Sequence, residues 1–242
     1  MRVTIHERFF WVSLSLFGVW FLALALYPSN RGDWLLENVL TAVSILVLIG
    51  TRRILPLSRV SYTLIFLFLA VHVLGSHYTY SLVPYERWLT AGFGFSPAEQ
   101  WGWERNHYDR VVHFVYGLFL AYPAREMFYR VADARGFWGY FLPLDLVMSS
   151  SLMYELIEWL AAMLFGGELG MAFLGTQGDI WDAHKDMALA ALGASLAILI
   201  TLTVNLYLQR DFAREWGESL KVKHDSPLGE DEIRRLWQER QQ

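Results

Sequence analysis

The chain has 242 residues, 55% of them apolar and 16% aromatic, and its formal net charge is only −4. A composition this apolar excludes an ordinary water-soluble domain and implies several passes through a bilayer. The absence of cysteine excludes disulfides, thiol nucleophiles and cysteine-ligated zinc. With no basic patch interleaved with aromatics outside the tail, nucleic acid is excluded as a partner.

Taken in order, the apolar runs predict an all-α polytopic membrane protein. Its six transmembrane helices fall at about residues 9–26, 34–50, 60–76, 108–128, 137–165 and 187–207, each as long as a hydrocarbon core requires or longer. The first follows Arg2 and Arg8 and contains Ala23-Leu24-Ala25, which resembles a signal-peptidase site; its length and aromatic content favour an uncleaved span. The second carries Glu37 near its start and Arg52 and Arg53 just beyond it, and the third ends in His72 and His77. Residues 79–107 form the only long connection. Their Trp88, Trp101 and Trp103 predict a lid lying along the membrane surface. The fourth span opens with Asp109 and His113, and the fifth has Pro143 and Asp145 early and Glu155 and Glu158 late. Gly166-Gly167 ends that helix, Pro123 and Pro143 mark boundaries or kinks, and Gly193-Ala194 allows close helix packing in the sixth span.

Charge orients the chain. Arg2, Arg8, Arg52, Arg53, Arg59, Arg125, Arg130 and Arg135 fall on one side together with the tail bases. The other side offers Arg31, Arg87, Arg105 and Lys185, with Arg110 just inside the fourth span. The positive-inside rule therefore predicts both termini in the cytoplasm, with a membrane domain over 1–208 and a tail over 209–242. In that tail Phe212, Trp216 and Leu220 form an apolar stripe suited to the inner membrane surface, and Ser226-Pro227 reads as a helix start.

With this topology the polar residues converge on the extracytoplasmic half. From Phe137 to Glu155 is eighteen residues, about 27 Å of helix, which brings Glu155 near the outer boundary. Asp109 and His113 are spaced i, i+4 and Glu155 and Glu158 i, i+3; Asp179, Asp182 and Asp186 follow i, i+3, i+7, each set on one helical face. Inward-facing carboxylates and histidines on several helices build metal sites in bundles. Asp109, His113, Glu155, Glu158, Asp179 and Asp182 are the candidate ligands; Asn106, Arg110, Gln177 and Asp186 form a supporting polar network, and His72 and His77 are candidate general bases. Mixed carboxylate and imidazole ligands suit zinc, manganese or iron, while carboxylates alone admit magnesium or calcium. The bland alternative is that the helix macrodipole explains Asp109, Asp179 and Asp182, with Arg105, Arg110 and Lys185 as ordinary ion partners. Glu155 and Glu158 resist that account because they lie in the C-terminal half of their helix.

Four motifs carry a family resemblance: Gly-Ser-His-Tyr-Thr-Tyr (75–80), Tyr-Asp-Arg-Val-Val-His-Phe (108–114), Tyr-Glu-Leu-Ile-Glu-Trp (154–159) and Gly-Thr-Gln-Gly-Asp-Ile-Trp-Asp-Ala-His-Lys-Asp-Met (175–187). Over about residues 35–207 the chain resembles the YjdF-like bacterial inner-membrane family, whose biochemical function is unknown. More distantly, Asp-x-x-x-His-Phe followed by an acidic helix and an Asp motif before Gly-Ala looks like the VanZ-like membrane proteins. The resemblance implies a multi-pass location in the bacterial inner membrane and supplies no catalytic residues; the VanZ-like link implies envelope-related roles. Three functional readings follow. The leading one is a membrane-embedded, metal-dependent hydrolase or transferase acting on a lipid or envelope precursor at the outer face. The others are an ion- or proton-coupled transporter and a non-catalytic assembly or sensor protein.

Overall fold

The computed structural model describes residues 5–209, 211–223 and 229–241, and among these every regular element is a helix. Arg2, Arg210 and the Ser226-Pro227 helix start lie outside the described residues. Five helices are long and apolar enough to cross a membrane: α1 (Ile5–Ala25), α2 (Arg31–Thr51), α3 (Arg59–His77), α7 (Gly136–Phe165) and α9 (Asp182–Leu208). The remaining long helix, α6 (Tyr108–Ala132), holds an uncharged middle between Asp109-Arg110 at its start and Arg125, Glu126 and Arg130 near its end. Pro123 and Pro143 both lie inside unbroken helices and mark no boundary.

Local chemistry sets the helix ends. The Asn30 side chain caps α2 by accepting from the N–H groups of Gly32 (2.9 Å) and Asp33 (3.2 Å). Ser58 caps α3 through Ser61 N–H at 3.2 Å. The Glu126 carboxylate of α6 supports that cap, accepting from Ser58 N–H at 2.8 Å and Ser61 Oγ at 2.5 Å. One charged side chain thus ties two helices together at that end of the molecule.

The 79–107 connection is not a plain loop. It contains α4 (Tyr85–Phe93) and α5 (Pro97–Trp101), the latter capped by Ser96, with Phe93 and Trp101 exposed. A second long connection follows α7, where Gly166 in the left-handed region turns the chain into the short helix α8 (Gly167–Leu174).

The helices pack around α6, which contacts α3, α7 and α9. α1 rests on α3 through Phe10, Phe17, Tyr62 and Phe66, while α2 packs on α3 and α8. A second core joins Ala121, Tyr140, Val147, Ala194 and Ile198 of α6, α7 and α9. Outward faces such as Leu16, Val19 and Leu22 of α1 are apolar, whereas Asp33, Glu37, His113, Glu155 and Asp186 are buried. A bundle in lipid sorts its surface this way, with polar groups kept against protein.

The tail departs from expectation. In α10 (Phe212–Ser219), Phe212 and Trp216 pack on Tyr140 and Phe137 of α7, so their stripe is committed to protein; only Leu220 stays exposed. The same segment caps the start of α7, with Gly136 N–H donating to Glu215 (3.1 Å) and Phe137 N–H to Ser219 Oγ (2.9 Å). The last described helix, α11 (Glu230–Glu239), is exposed along its length apart from a half-buried position at Glu232.

Candidate functional site

The site is set by how closely α6 and α9 cross. A Cβ on Gly117 would lie 1.9 Å from the carbonyl oxygen of Ala190, and one on Gly193 would lie 2.1 Å from that of Phe114. Backbone touches backbone there, and any side chain would drive the helices apart. One turn before Gly117 stands His113 and another turn earlier Asp109; one turn before Ala190 stands Asp186 and another turn earlier Asp182. The glycine contact thus brings two i, i+4 pairs face to face.

Nearest the helix starts the acids meet bases. Arg105 Nη1 lies 2.5 Å from Asp182 Oδ1 and 3.6 Å from Asp179 Oδ2. Arg110 pairs with Asp179 and approaches Asp182 at 3.5 Å, and Lys185 Nζ sits 2.6 Å from Asp179 Oδ2. Lys185, the Trp181 N–H and Arg110 hold the Asp179 carboxyl well below the usual carboxylate range. Asp179 lies in the turn ahead of α9 rather than on that helix, because α9 begins only at Asp182. Beside this lattice Asn106 N–H donates to Gln177 Oε1 (3.0 Å) and Gln177 Nε2 to the Asn106 carbonyl (3.0 Å), tying the two long connections together. Asp179, Asp182, Asn106, Arg110 and Gln177 therefore form one ionic and hydrogen-bonded seal.

Below the seal lies a different arrangement. Asp109, His113 and Asp186 each offer a ligand atom, all within 4.8 Å of one another. His113 Nε2 is 3.6 Å from Asp109 Oδ1 and 3.6 Å from Glu155 Oε1. These separations are too long for hydrogen bonds. They are close to the spacing of about 3.4 Å between two ligands that each sit about 2.1 Å from a shared tetrahedral ion. Glu155 Oε1 and Asp186 Oδ1 are buried without a hydrogen-bond partner, although their residues are only 8% and 2% exposed. Among the described residues no Arg or Lys forms an ion pair with Asp109, Glu155, Glu158 or Asp186. Orphaned buried carboxylate oxygens around an imidazole could hold a divalent cation between Asp109, His113 and Asp186, with Glu155 beside His113 at the edge of the cluster. Glu158, buried against Glu155, stands behind them. Of the expected ligands, Asp179 and Asp182 go to the seal, and Asp186 takes the inner place.

The expected general bases are spoken for. His72 Nε2 donates to the Glu37 carbonyl at 3.1 Å and its Nδ1 meets the Tyr80 hydroxyl at 2.5 Å. His77 Nδ1 donates to the Leu24 carbonyl of α1 at 2.7 Å. Helix α3 runs through both residues, so they do not share a site. Helix α2 adds two more buried acids, of which Asp33 was not expected. Glu37 is buried and accepts from the Tyr154 hydroxyl at 3.0 Å, and Asp33 is buried with neither carboxylate oxygen hydrogen-bonded. Their i, i+4 spacing was the available signal. Asp145 is exposed, while Arg135 pairs with Asp133 at 2.7 Å.

A cavity of about 370 Å³ opens beside the site between α2, α3, α6 and α7, with Asp109, His113, His72 and Tyr80 on its wall.

Related sequences identify the family of the chain. Residues 9–206 match the family described as "Predicted membrane protein (DUF2238)", a stretch that contains every acid and histidine of the site. The chain is 39% identical over 187 residues to the inner membrane protein YjdF of Escherichia coli (strain K12), covering 77% of this chain and 82% of that protein. No solved structure matches. The chain belongs to the DUF2238 family and is a YjdF-like, multi-pass protein of the inner membrane.

Proposed function

We propose that this protein is a membrane-embedded, metal-dependent hydrolase or transferase acting on a lipid or envelope precursor at the extracytoplasmic face. One observation carries the reading. Asp109, His113 and Asp186 cluster within 4.8 Å with Glu155 beside His113, two of these acids have orphaned buried oxygens, and Asp109 and His113 reach the wall of a cavity inside the bundle. Asp109, His113 and Asp186, with Glu155 beside His113, would hold a zinc, manganese, iron or magnesium ion, which would supply Lewis acidity and an activated water when bound. Helix α6 is the sixth membrane span despite its charged ends, because it packs against three apolar helices. Both termini are cytoplasmic, and the bundle through residue 208 is followed by a cytoplasmic tail over 209–242. The arginines at 52, 53, 59, 125, 130 and 135 support that orientation.

The test is elemental analysis of protein purified in mild detergent without chelators, alongside Asp186→Asn and Glu155→Gln. About one equivalent of metal in the parent, lost from both variants while they stay folded, supports the reading. Metal-free, well-folded parent protein that also resists reconstitution overturns it. The chain has no native cysteine, so single cysteines at Arg53, Ser81 and Asp133, labelled from either side, test the orientation directly. Ion- or proton-coupled transport is the second reading. It is favoured by the buried, unpartnered oxygens of Asp33 and Thr41 along α2, and flux in proteoliposomes without bound metal would bring it forward.

A further inference from the structure

We propose that the cavity between α2, α3, α6 and α7 holds the hydrocarbon chain of a single-chain membrane amphiphile, its phosphate or carboxylate head at Asp109 and His113. This inference rests on the metal-site reading and names the substrate class it would serve.

The cavity wall is mainly apolar. Asp109, His113 and Tyr80 line one end, and Phe68, Leu69 and Leu120 line the deeper, mostly apolar end beside the hydroxyls of Tyr116, Ser150 and Ser151. From Asp109 to Leu120 is eleven residues, about 16 Å along α6, so the apolar end reaches well toward the middle of the bundle. Leu40, Met153 and Ile157 belong to its wall and are also exposed on the outer surface of the bundle, which makes a side entrance facing lipid. Helix α2 leaves room for it, since α2 rests on α3 and α8 and meets α7 through the Glu37–Tyr154 hydrogen bond. A volume of about 370 Å³ lies at the small end of ligand cavities, about 300–1,000 Å³, which suits one chain better than two. A wholly polar substrate would leave Phe68, Leu69 and Leu120 facing nothing.

Moving a chain from bilayer to cavity gains little hydrophobic energy, because lipid tails are already apolar. Discrimination therefore comes from length: a chain deeper than the cavity meets the Phe68–Leu120 floor, and overpacking is resisted. Leu120 is the residue that sets this limit.

The experiment uses the full-length protein in nanodiscs and alkyl phosphates carrying a diazirine at the chain end, in octyl, dodecyl and hexadecyl lengths. Dodecyl phosphate should label Phe68, Leu69 or Leu120, and Leu120→Trp should cut that labelling at least about fivefold while octyl labelling and metal content stay unchanged. If Leu120→Trp does not fold, Leu40→Trp blocks the cavity from the opposite wall with the same expected loss. Labelling spread over lipid-facing residues such as Leu16 and Val19, and indifferent to either substitution, overturns the inference. The two readings fail separately. Bound metal without cavity labelling removes only the chain site, and cavity labelling of a protein that never binds metal removes only the metal.

Discussion

Two groups of acids sit within a few turns of one another and live by opposite rules. Asp179 and Asp182 are held by Arg105, Arg110 and Lys185, so their charges are answered by protein. Asp109, Glu155 and Asp186 have one imidazole among them, and two of their oxygens touch no donor. Removing one partner of a buried ion pair strands the other charge, whereas removing a buried carboxylate that has no partner relieves a desolvation cost. The first group is structure in its own right, and the second is structure waiting for a proton or a cation.

Substitutions across the two groups should therefore act with opposite sign. Asp182→Asn removes the 2.5 Å partner of Arg105, leaving that guanidinium with Asp179 at 3.6 Å and the Thr176 carbonyl, and should cost about 1–3 kcal/mol, seen as a fall in thermal stability in detergent. An unchanged melting temperature would show that the seal contributes nothing. Asp186→Asn should instead leave metal-free protein at least as stable as the parent, while its metal affinity falls at least about 100-fold, beyond what loss of an outer-shell partner causes. Titration against a chelator reads that fall, and equal affinity would remove Asp186 from the ligand set. Lys185→Ala touches only the seal's exposed edge, since that side chain is 48% exposed, and should cost less than about 1 kcal/mol. Its cost should shrink further at high salt. The smallest effect is that of pH on Asp179, whose carboxyl titrates below its ordinary value. A depressed folded value stabilises above the unfolded value near 3.9 and is lost as pH falls further. The contribution should thus be flat from pH 5 to 8 and fade only in stronger acid. A decline between pH 7 and 5 that Asp179→Asn abolishes would contradict it.

Much of this was legible in the chain. The apolar runs located the five long apolar helices to within a few residues, and Gly166 ended α7 as its sequence implies. The i, i+4 and i, i+3 spacings singled out Asp109, His113, Glu155 and Glu158. Sequence could not say which acids would meet the arginines, because that depends on where Gly117 and Gly193 let α6 and α9 touch, a distance across space and not along the chain. Asp33 escaped notice for another reason. An acid in the first turn of a helix is ordinary, since the helix dipole favours it there, and only burial with no partner makes it unusual. Likewise the spacing of Phe212 and Trp216 announces an apolar face without saying whether lipid or α7 will cover it.

The way α10 fits under α7 has a practical side. Shortening the chain at Leu208, where the apolar run stops, would strip the caps from the Gly136 and Phe137 N–H groups and uncover Tyr140. Versions trimmed for crystallisation or fused to a reporter should keep the chain through Lys221. The last hydrogen bonds from this segment to α7, among the described residues, are those of Ser219 with Phe137 and Trp138.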